Sequence, residues 1–399
     1  MCHREAVRWA SAISSNPVFA HAARDVIESV AKELDGLEAH LVLAFVSPHH
    51  AEHYDEIPAL VSTRFPGSVL IGCSASGVIG AGHEVEQRPG FSLTTACLPG
   101  VSIRPFSLNA AQLPEETTDV EPWRALVGKP PIPNAHFVLI ADPLTFDATA
   151  LLTGLDIAFP DSRKIGGLAS GGPERGSNAL FVGSSTRRVG AVGVALSGNI
   201  SVDTIVAQGC RPIGTPTIIT RSQNNVVLEL DSRPPLRVLR ELYESLPDKD
   251  KELFRTSLFA GLEMKSEEVE FHAGDFLVRN LVGIDPEAGA IAIGAVPKPW
   301  QVLQFLLRDS ETATEDLRRL LKRYRGSRGT KPQGALLFSC LGRGVHLFGK
   351  ADHDTGMFQE SLGPVPLGGF FCNGEIGPVG RTTFLHGYTS AFALFREAD

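Results

Sequence analysis

Residues 333–395, QGALLFSCLGRGVHLFGKADHDTGMFQESLGPVPLGGFFCNGEIGPVGRTTFLHGYTSAFALF, decide how this chain is read. An apolar run, Ala335 to Phe338, leads into a small polar turn holding Ser339, Cys340, Gly342, Arg343 and Gly344. A short helical stretch follows, then a second glycine-rich turn, Gly369-Phe370-Phe371-Cys372-Asn373-Gly374-Glu375. Two turns at the ends of buried strands, each with one thiol and one charged side chain, are what a ligand site in an open α/β sheet requires.

The upstream chain repeats this unit. His40 to Val46 is a continuous apolar run bounded by Ser47-Pro48, which predicts a buried strand. Tyr54, Ile57, Leu60, Val61 and Phe65 then recur at helical spacing, and Ser68 to Ile71 re-enters a strand. The order returns with His136 to Ala141, a helix carrying Phe146, Leu151, Leu152 and Leu155, and Ile165. The three copies share Gly-x-x-x-[Ser/Asn]-Gly at Gly72 to Gly77, Gly166 to Gly171 and Gly369 to Gly374. Phe65, Phe159 and Leu362 stand at the same distance before the opening glycine, and each copy has the length of a βαβ unit. Glycines at such places also serve simply to let backbones approach closely.

After each copy the pattern turns to alternating strands, among them Phe91 to Cys97, Gly190 to Leu196 and Val202 to Gln208, so the sheets are expected to be mixed. Prolines cluster between Gly214 and Pro234, which reads as a domain junction. Strands Ser257 to Leu262, Phe276 to Val282, Ala290 to Ile293 and Val302 to Leu307 follow, then a helix with Thr312 and Glu315 as a capping box. Residues Gly326-Ser327-Arg328-Gly329 read as a surface loop. The expected architecture is α/β: two domains of internally repeated β-α-β units with mixed sheets flanked by helices. The expected boundaries are 1–36 for an N-terminal helical segment, with Phe19 to Leu34 on one amphipathic helix, then 37–215 and 216–399 for the two domains.

Composition narrows the function. A net charge of −8 and the absence of a basic patch with interleaved aromatics argue against nucleic acid as a partner. The apolar runs are too short for a membrane span, and the N-terminus has no secretory apolar core, so the chain is expected to be cytoplasmic. Cys2, Cys73, Cys97, Cys210, Cys340 and Cys372 have no tight spacing and read as reduced thiols. There is no Walker loop, no strand-linked GxGxxG with its acidic partner and no GxSxG, and no cofactor is expected. His49, His53 and their acidic neighbours read as a solvated helix terminus rather than a metal site.

The runs DFLVRNLVGID, QVLQFLLRDSETATEDLRRLL, GALLFSCLGRGVHLFG and VPLGGFFCNGEIGP resemble the C-terminal half of the FIST family, and SVLIGCSASGVIG with KIGGLASGG resembles its N-terminal half. The resemblance covers about Leu41 to Phe395. It implies a sensory module of signal transduction that binds a small ligand, with an amino acid as the suggested class, and a protein signalling partner. No kinase, cyclase, chemotaxis or F-box segment accompanies these runs, so a stand-alone module is expected.

The candidate ligand-binding residues are Arg343, Asn373, Glu375, Cys340, Cys372, Arg279 and Arg308. Arg343 lies between two glycines at a strand end, where its guanidinium can hold a ligand carboxylate by two hydrogen bonds or pair with Glu375. With Asn373 offering donor and acceptor, and Glu375 accepting from an ammonium, the set suits a zwitterion. Arg279 and Arg308 also close apolar strands. Cys340, beside a cationic neighbour that lowers a thiol pKa, is a candidate nucleophile, with His346 and His386 the nearest histidines in sequence. Catalysis would need a base within reach of that thiol, whereas binding needs only a shaped cleft. Two alternatives therefore stay open beside the sensor: a thiol-dependent enzyme on an amino-acid-like substrate, and a protein-interaction module.

Overall fold

The computed structural model describes residues 7–115, 119–128, 132, 134–264, 271, 274–327 and 331–398. Cys2, Arg328 and Gly329 lie outside the described residues. The chain divides into two compact units, one of residues 1–206, 320–385 and 389–399, the other of residues 207–319 and 386–388.

The first unit is built from three copies of one element order. The first copy runs β1 (Arg8–Ser14), α1 (Phe19–Leu34), β2 (Leu41–Val46), a 3-10 stretch (Pro48–Glu56) leading into α2 (Ile57–Arg64), β3 (Val69–Ser74), the hairpin β4 (Gly77–Gly80) and β5 (His83–Glu86), and β6 (Phe91–Cys97). The second runs β7 (Val101–Leu108), α3 (Val120–Leu126), β8 (His136–Ala141), α4 (Ala148–Ala158), β9 (Lys164–Leu168), the hairpin β10 (Leu180–Val182) and β11 (Ser185–Arg187), and β12 (Ala191–Gly198). The third opens with β13 (Ser201–Ala207) and is then interrupted by the second unit: β14 (Cys210–Gln223), β15 (Val226–Leu230), α5 (Pro235–Ser245), α6 (Asp248–Thr256), β16 (Leu258–Glu263), β17 (Phe276–Asp285), β18 (Ala290–Ile293) and β19 (Val302–Arg308). It resumes with α7 (Ser310–Ser327), β20 (Gly334–Cys340), α8 (Gly344–Phe348), α9 (His353–Leu362), β21 (Leu367–Cys372), the hairpin β22 (Glu375–Val379) and β23 (Thr382–His386), and β24 (Ser390–Arg396).

Each copy contributes four strands to one sheet and gives its hairpin to another. The orders are β1-β6-β2-β3-β10-β11, β23-β22-β9-β8-β12-β7 and β13-β24-β20-β21-β4-β5. The hairpin of the first copy thus completes the third sheet, that of the second completes the first, and that of the third completes the second. In every sheet the central pair is parallel and its neighbours antiparallel, with Ala44 opposite Gly72, Leu139 opposite Gly166 and Leu337 opposite Gly369. These opening glycines lie inside strands β3, β9 and β21, not in turns as the sequence reading has it. A Cβ on any of them would sit 1.9, 1.8 or 1.8 Å from the carbonyl oxygen of Ala44, Leu139 or Leu337, so only glycine lets the paired strand pass.

The central strands are apolar throughout because both faces are covered. On β2, Leu41, Leu43 and Phe45 enter a core shared with Val138 and Ile140 of β8 and Leu336 and Phe338 of β20, so all three sheets meet there. Val42, Ala44 and Val46 face the other way, against Val26, Val30, Ile57 and Val61 of α1 and α2. The repeat extends to the first residues too: β1, which the sequence reading passes over, pairs with β6 from Arg8 opposite Cys97 to Ser14 opposite Phe91.

The second unit is a closed barrel in the order β14-β15-β18-β17-β16-β19 around Ile219, Val227, Leu230, Ile291, Leu303 and Phe305. Most of residues 214–234, the proline-rich stretch, lies in its first two strands, β14 and β15. At the start of α7 the cap is Asp309, which accepts from the Thr312 N–H at 2.7 Å and its hydroxyl at 3.0 Å, in place of a Thr312–Glu315 box. Gly326 and Ser327 belong to that helix rather than to a loop. Among the described residues no helix is long and apolar enough to cross a membrane.

Candidate functional site

A buried polar cluster lies at the carboxyl end of β20, under α8 and α9. The chain leaves β20 at Cys340, and Gly344, with φ +54°, lets it turn sharply into α8. A Cβ at Gly344 would meet the Glu86 carboxylate at 2.3 Å. That turn points Arg343 inward, where it is fully buried.

Its partner is Asp354, in the first turn of α9. Arg343 donates from Nε at 2.7 Å and from Nη2 at 2.9 Å to the two Asp354 oxygens. Asp354 also meets His353 Nδ1 at 2.9 Å and accepts from the Ser390 and Ser339 hydroxyls. Burial would raise its pKa, but the Arg343 charge and these hydrogen bonds win and hold the carboxyl well below the usual range. The Phe348 ring of α8 closes the cluster, stacked on His353 at 3.4 Å and 5.2 Å from the Arg343 guanidinium carbon. The sequence-based alternative of an Arg343–Glu375 pair is thereby corrected in its main element. The fork is occupied by Asp354, while Glu375, at the head of β22, accepts from the Thr389 N–H at 3.1 Å and hydroxyl at 2.8 Å. Arg343 feels Glu375 as a further nearby negative charge. Its Nη1 atom is buried without a hydrogen-bond partner among the described residues.

The exchanged hairpin brings two more carboxyls. Glu84 and Glu86 alternate on β5, a strand of the first copy that borders the third sheet. Glu84 Oε1 accepts from the Thr355 N–H at 3.0 Å, while the Glu84 N–H donates to Asp352 at 2.6 Å, so strand and helix N-terminus cap each other. Glu86 accepts from the Val345 N–H at 3.0 Å. Burial and the neighbouring Asp354 charge push the Glu84 carboxyl up to about 8, and its Oε2 has no hydrogen-bond partner among the described residues. Burial and the Asp354 charge thus favour the uncharged form of Glu84.

The other sequence candidates divide between the two units. Cys340 is half-buried and its sulfur accepts the Gly342 N–H at 3.5 Å. Asn373 is exposed at the break between β21 and β22, and its N–H donates to Leu168. Cys372 is wholly buried, its sulfur packed where a Cβ on Gly167 would lie, and burial pushes its thiol pKa up. Arg279 and Arg308 belong to the barrel unit. Arg279 donates to the Val278 carbonyl, and Arg308 lies 5.1 Å from the Tyr388 ring centre, within that unit.

Sequence reasoning passed over Asp354, His353, Glu84 and Glu86. One signal was present: Ile57, Leu151 and Asp354 stand at matching distances before Phe65, Phe159 and Leu362, so the third copy puts a carboxylate where the others bury an aliphatic side chain. For Glu84 and Glu86 no such signal exists, because they reach the site only through the hairpin exchange.

Comparison with known proteins agrees with this architecture. The chain matches the FIST N domain over residues 40–233, which takes in β2 to β15, and the FIST C domain over residues 235–378, from α5 to β22. FIST domains are sensory domains of signal transduction. An uncharacterized protein of Mycobacterium tuberculosis (strain CDC 1551 / Oshkosh) is 35% identical over 390 residues, covering 96% of this chain and 98% of that protein. An uncharacterized protein of Mycobacterium bovis (strain ATCC BAA-935 / AF2122/97) is 33% identical over 383 residues, 96% and 97% of the two chains. The chain belongs to the FIST family.

Proposed function

We propose that this chain is a sensory module whose ligand is a small polar molecule of the amino-acid class, bound at the cluster around Arg343. One observation carries the reading. The third copy buries an ion pair, Arg343 with Asp354, at a place where the first two copies fold with Ile57 and Leu151. A buried ion pair rarely stabilises more than apolar side chains of like volume, so its presence in one copy of three favours a binding role over a structural one. In this reading the partnerless Nη1 of Arg343 is the donor for a ligand carboxylate, and Asn373, Glu375, Cys340 and Cys372 are the further ligand-binding residues. Arg343 is fully buried, so entry requires α8 to move, and that helix is five residues long between Gly344 and Gly349.

The test is a thermal-shift screen of the amino acids and their close analogues, confirmed by calorimetry. A ligand at about a hundred times its dissociation constant adds roughly 2.7 kcal/mol to the unit that binds it. The expected hit loses its shift in Asn373→Ala, which removes an exposed side chain, and in Arg343→Lys, which keeps the charge but not the fork. No shift across the set, or a hit indifferent to both variants, refutes the reading.

The half-buried thiol beside this cluster supports one second reading, a Cys340-dependent enzyme on a substrate of the same class. It requires turnover that vanishes in Cys340→Ala while the ligand-induced shift persists. Val282 and Ile284, 58% and 62% exposed on β17, offer a face for a protein signalling partner. The described cysteines form no disulfide with one another.

A further inference from the structure

A cleft of about 330 Å³ lies in the first unit, shares no lining residue with the cluster above, and is lined by Arg163, Asp203, Thr204 and Tyr324 among others. Arg163 precedes β9, Asp203 and Thr204 are on β13, Arg323 and Tyr324 are on α7, and Gly380 is the turn of the hairpin β22–β23. Two arginines face this cleft without an acid. Arg163 donates to the Gly380 carbonyl at 3.3 Å, and neither it nor the exposed Arg323 pairs with a carboxylate among the described residues. The one carboxylate in the lining, Asp203, is already answered: Arg396 donates to it at 3.0 Å and the Tyr324 hydroxyl at 3.1 Å. Asp203 is thus matched by Arg396, and the two lining arginines have no carboxylate of their own among the described residues, in a protein whose net charge is −8. Ile205, Val206, Leu320 and Pro378 supply an apolar wall beside them.

The first copy serves as an internal control. Its partly corresponding cleft, about 440 Å³, is lined by His40, Val69, Leu98, Val101 and Ile103 among others. Counted from the paired glycines Gly72 and Gly166, Val69 takes the place of Arg163; counted along β7 and β13, Ile103 takes the place of Asp203. Where the two clefts coincide, the first has aliphatic side chains in the places of Arg163 and Asp203, and no residue of its lining corresponds to Arg323.

We propose that the Arg163–Arg323 cleft binds a small organic anion, a carboxylate or phosphate monoester carried on an apolar body. The forks of Arg163 and Arg323 match either oxyanion, and the wall receives the body. Calorimetric titration of the full chain with benzoate, with phenyl phosphate and with neutral benzyl alcohol tests this and separates the two anion types. At least one anion is expected to bind in the millimolar range or tighter, to bind more weakly at about 0.2 M than at about 0.05 M salt, and to lose about tenfold in affinity in Arg323→Gln or Arg163→Gln. Both arginines are at least partly solvent-accessible, so unchanged melting curves verify that these variants fold. Asn373→Ala leaves this binding as it is, which keeps it separate from the Arg343 site. The proposal is overturned if neither anion binds, if both variants bind as the parent does, or if benzyl alcohol binds as tightly as the anions.

Discussion

The sharpest consequence concerns the buried ion pair. Replacing Asp354 by Leu, the residue the second copy buries there, leaves the Arg343 guanidinium wholly buried with its fork empty. Removing one member of a buried pair costs about 3–5 kcal/mol, and the nearby Glu375 charge offsets only part of that. Arg343→Met leaves Asp354 buried with His353, Ser390 and Ser339 as partners, and is expected near the lower end of the same range. The double variant Arg343→Met, Asp354→Leu removes both charges and restores an apolar pairing like that around Ile57 and Leu151. It should lie within about 1 kcal/mol of the parent, or be more stable, so the coupling between the two sites is about 3 kcal/mol or more. Urea unfolding measures this if the two units are read separately. Trp9 and Trp123 are buried in the first unit, whereas Trp300 is exposed in the second, so a Trp300→Phe background makes tryptophan fluorescence report the first unit alone. A double variant as unstable as the sum of the singles would refute the view that the pair is kept for binding, since the fold itself would then depend on it.

Other outcomes follow from the same geometry. Because Glu84 sits near 8 when folded against an ordinary value of 4.5, the folded state holds an extra proton between those limits. Stability of the first unit should therefore fall as pH rises from about 4.5 to 8, by up to about 1.4 kcal/mol per pH unit, and the slope should disappear in Glu84→Gln. A slope unchanged in that variant would place the proton elsewhere. Alanine at Gly166 or Gly369, whose Cβ would meet a neighbouring carbonyl at 1.8 Å, should cost at least about 3 kcal/mol or prevent soluble expression. Gly326→Ala, in α7 with open space around it, should instead stabilise by about 0.5–1 kcal/mol, as thermal melts will show. In a Cys2→Ser background, brief alkylation of the native protein should label Cys340 ahead of Cys73, Cys97, Cys210 and Cys372, which are buried. Mass spectrometry of the peptides decides this, and early labelling of Cys73 or Cys372 would contradict the burial that raises their pKa values.

Much of the fold was legible in the chain. The runs at Leu41, His136 and Ala335 became the first strands of the three parallel pairs, and the matching glycines marked their partners, because burial on both faces demands unbroken apolar runs and a close crossing demands glycine. The barrel strands were legible too, from Phe276 to Val282 and Val302 to Leu307, but not their closure, since alternation says which residues face inward and nothing of which edges meet. At the site, Arg343, Cys340 and Glu375 stood out as polar residues at strand ends. Asp354 did not, because on a helix face a carboxylate reads as solvated unless its place is compared with Ile57 and Leu151.

The sequence by itself determined the α/β class, the threefold repetition, the family and the place of Arg343 at the end of a buried strand. Only the tertiary structure decided what Arg343 meets. Each hairpin leaves its own copy and completes another sheet, so β5 carries Glu84 and Glu86 to a helix more than two hundred and fifty residues away in sequence. The physical reason is that each copy's four strands leave an edge at β3, β9 or β21, and its open N–H and C=O groups can pair with a strand of another copy as well as with one of their own.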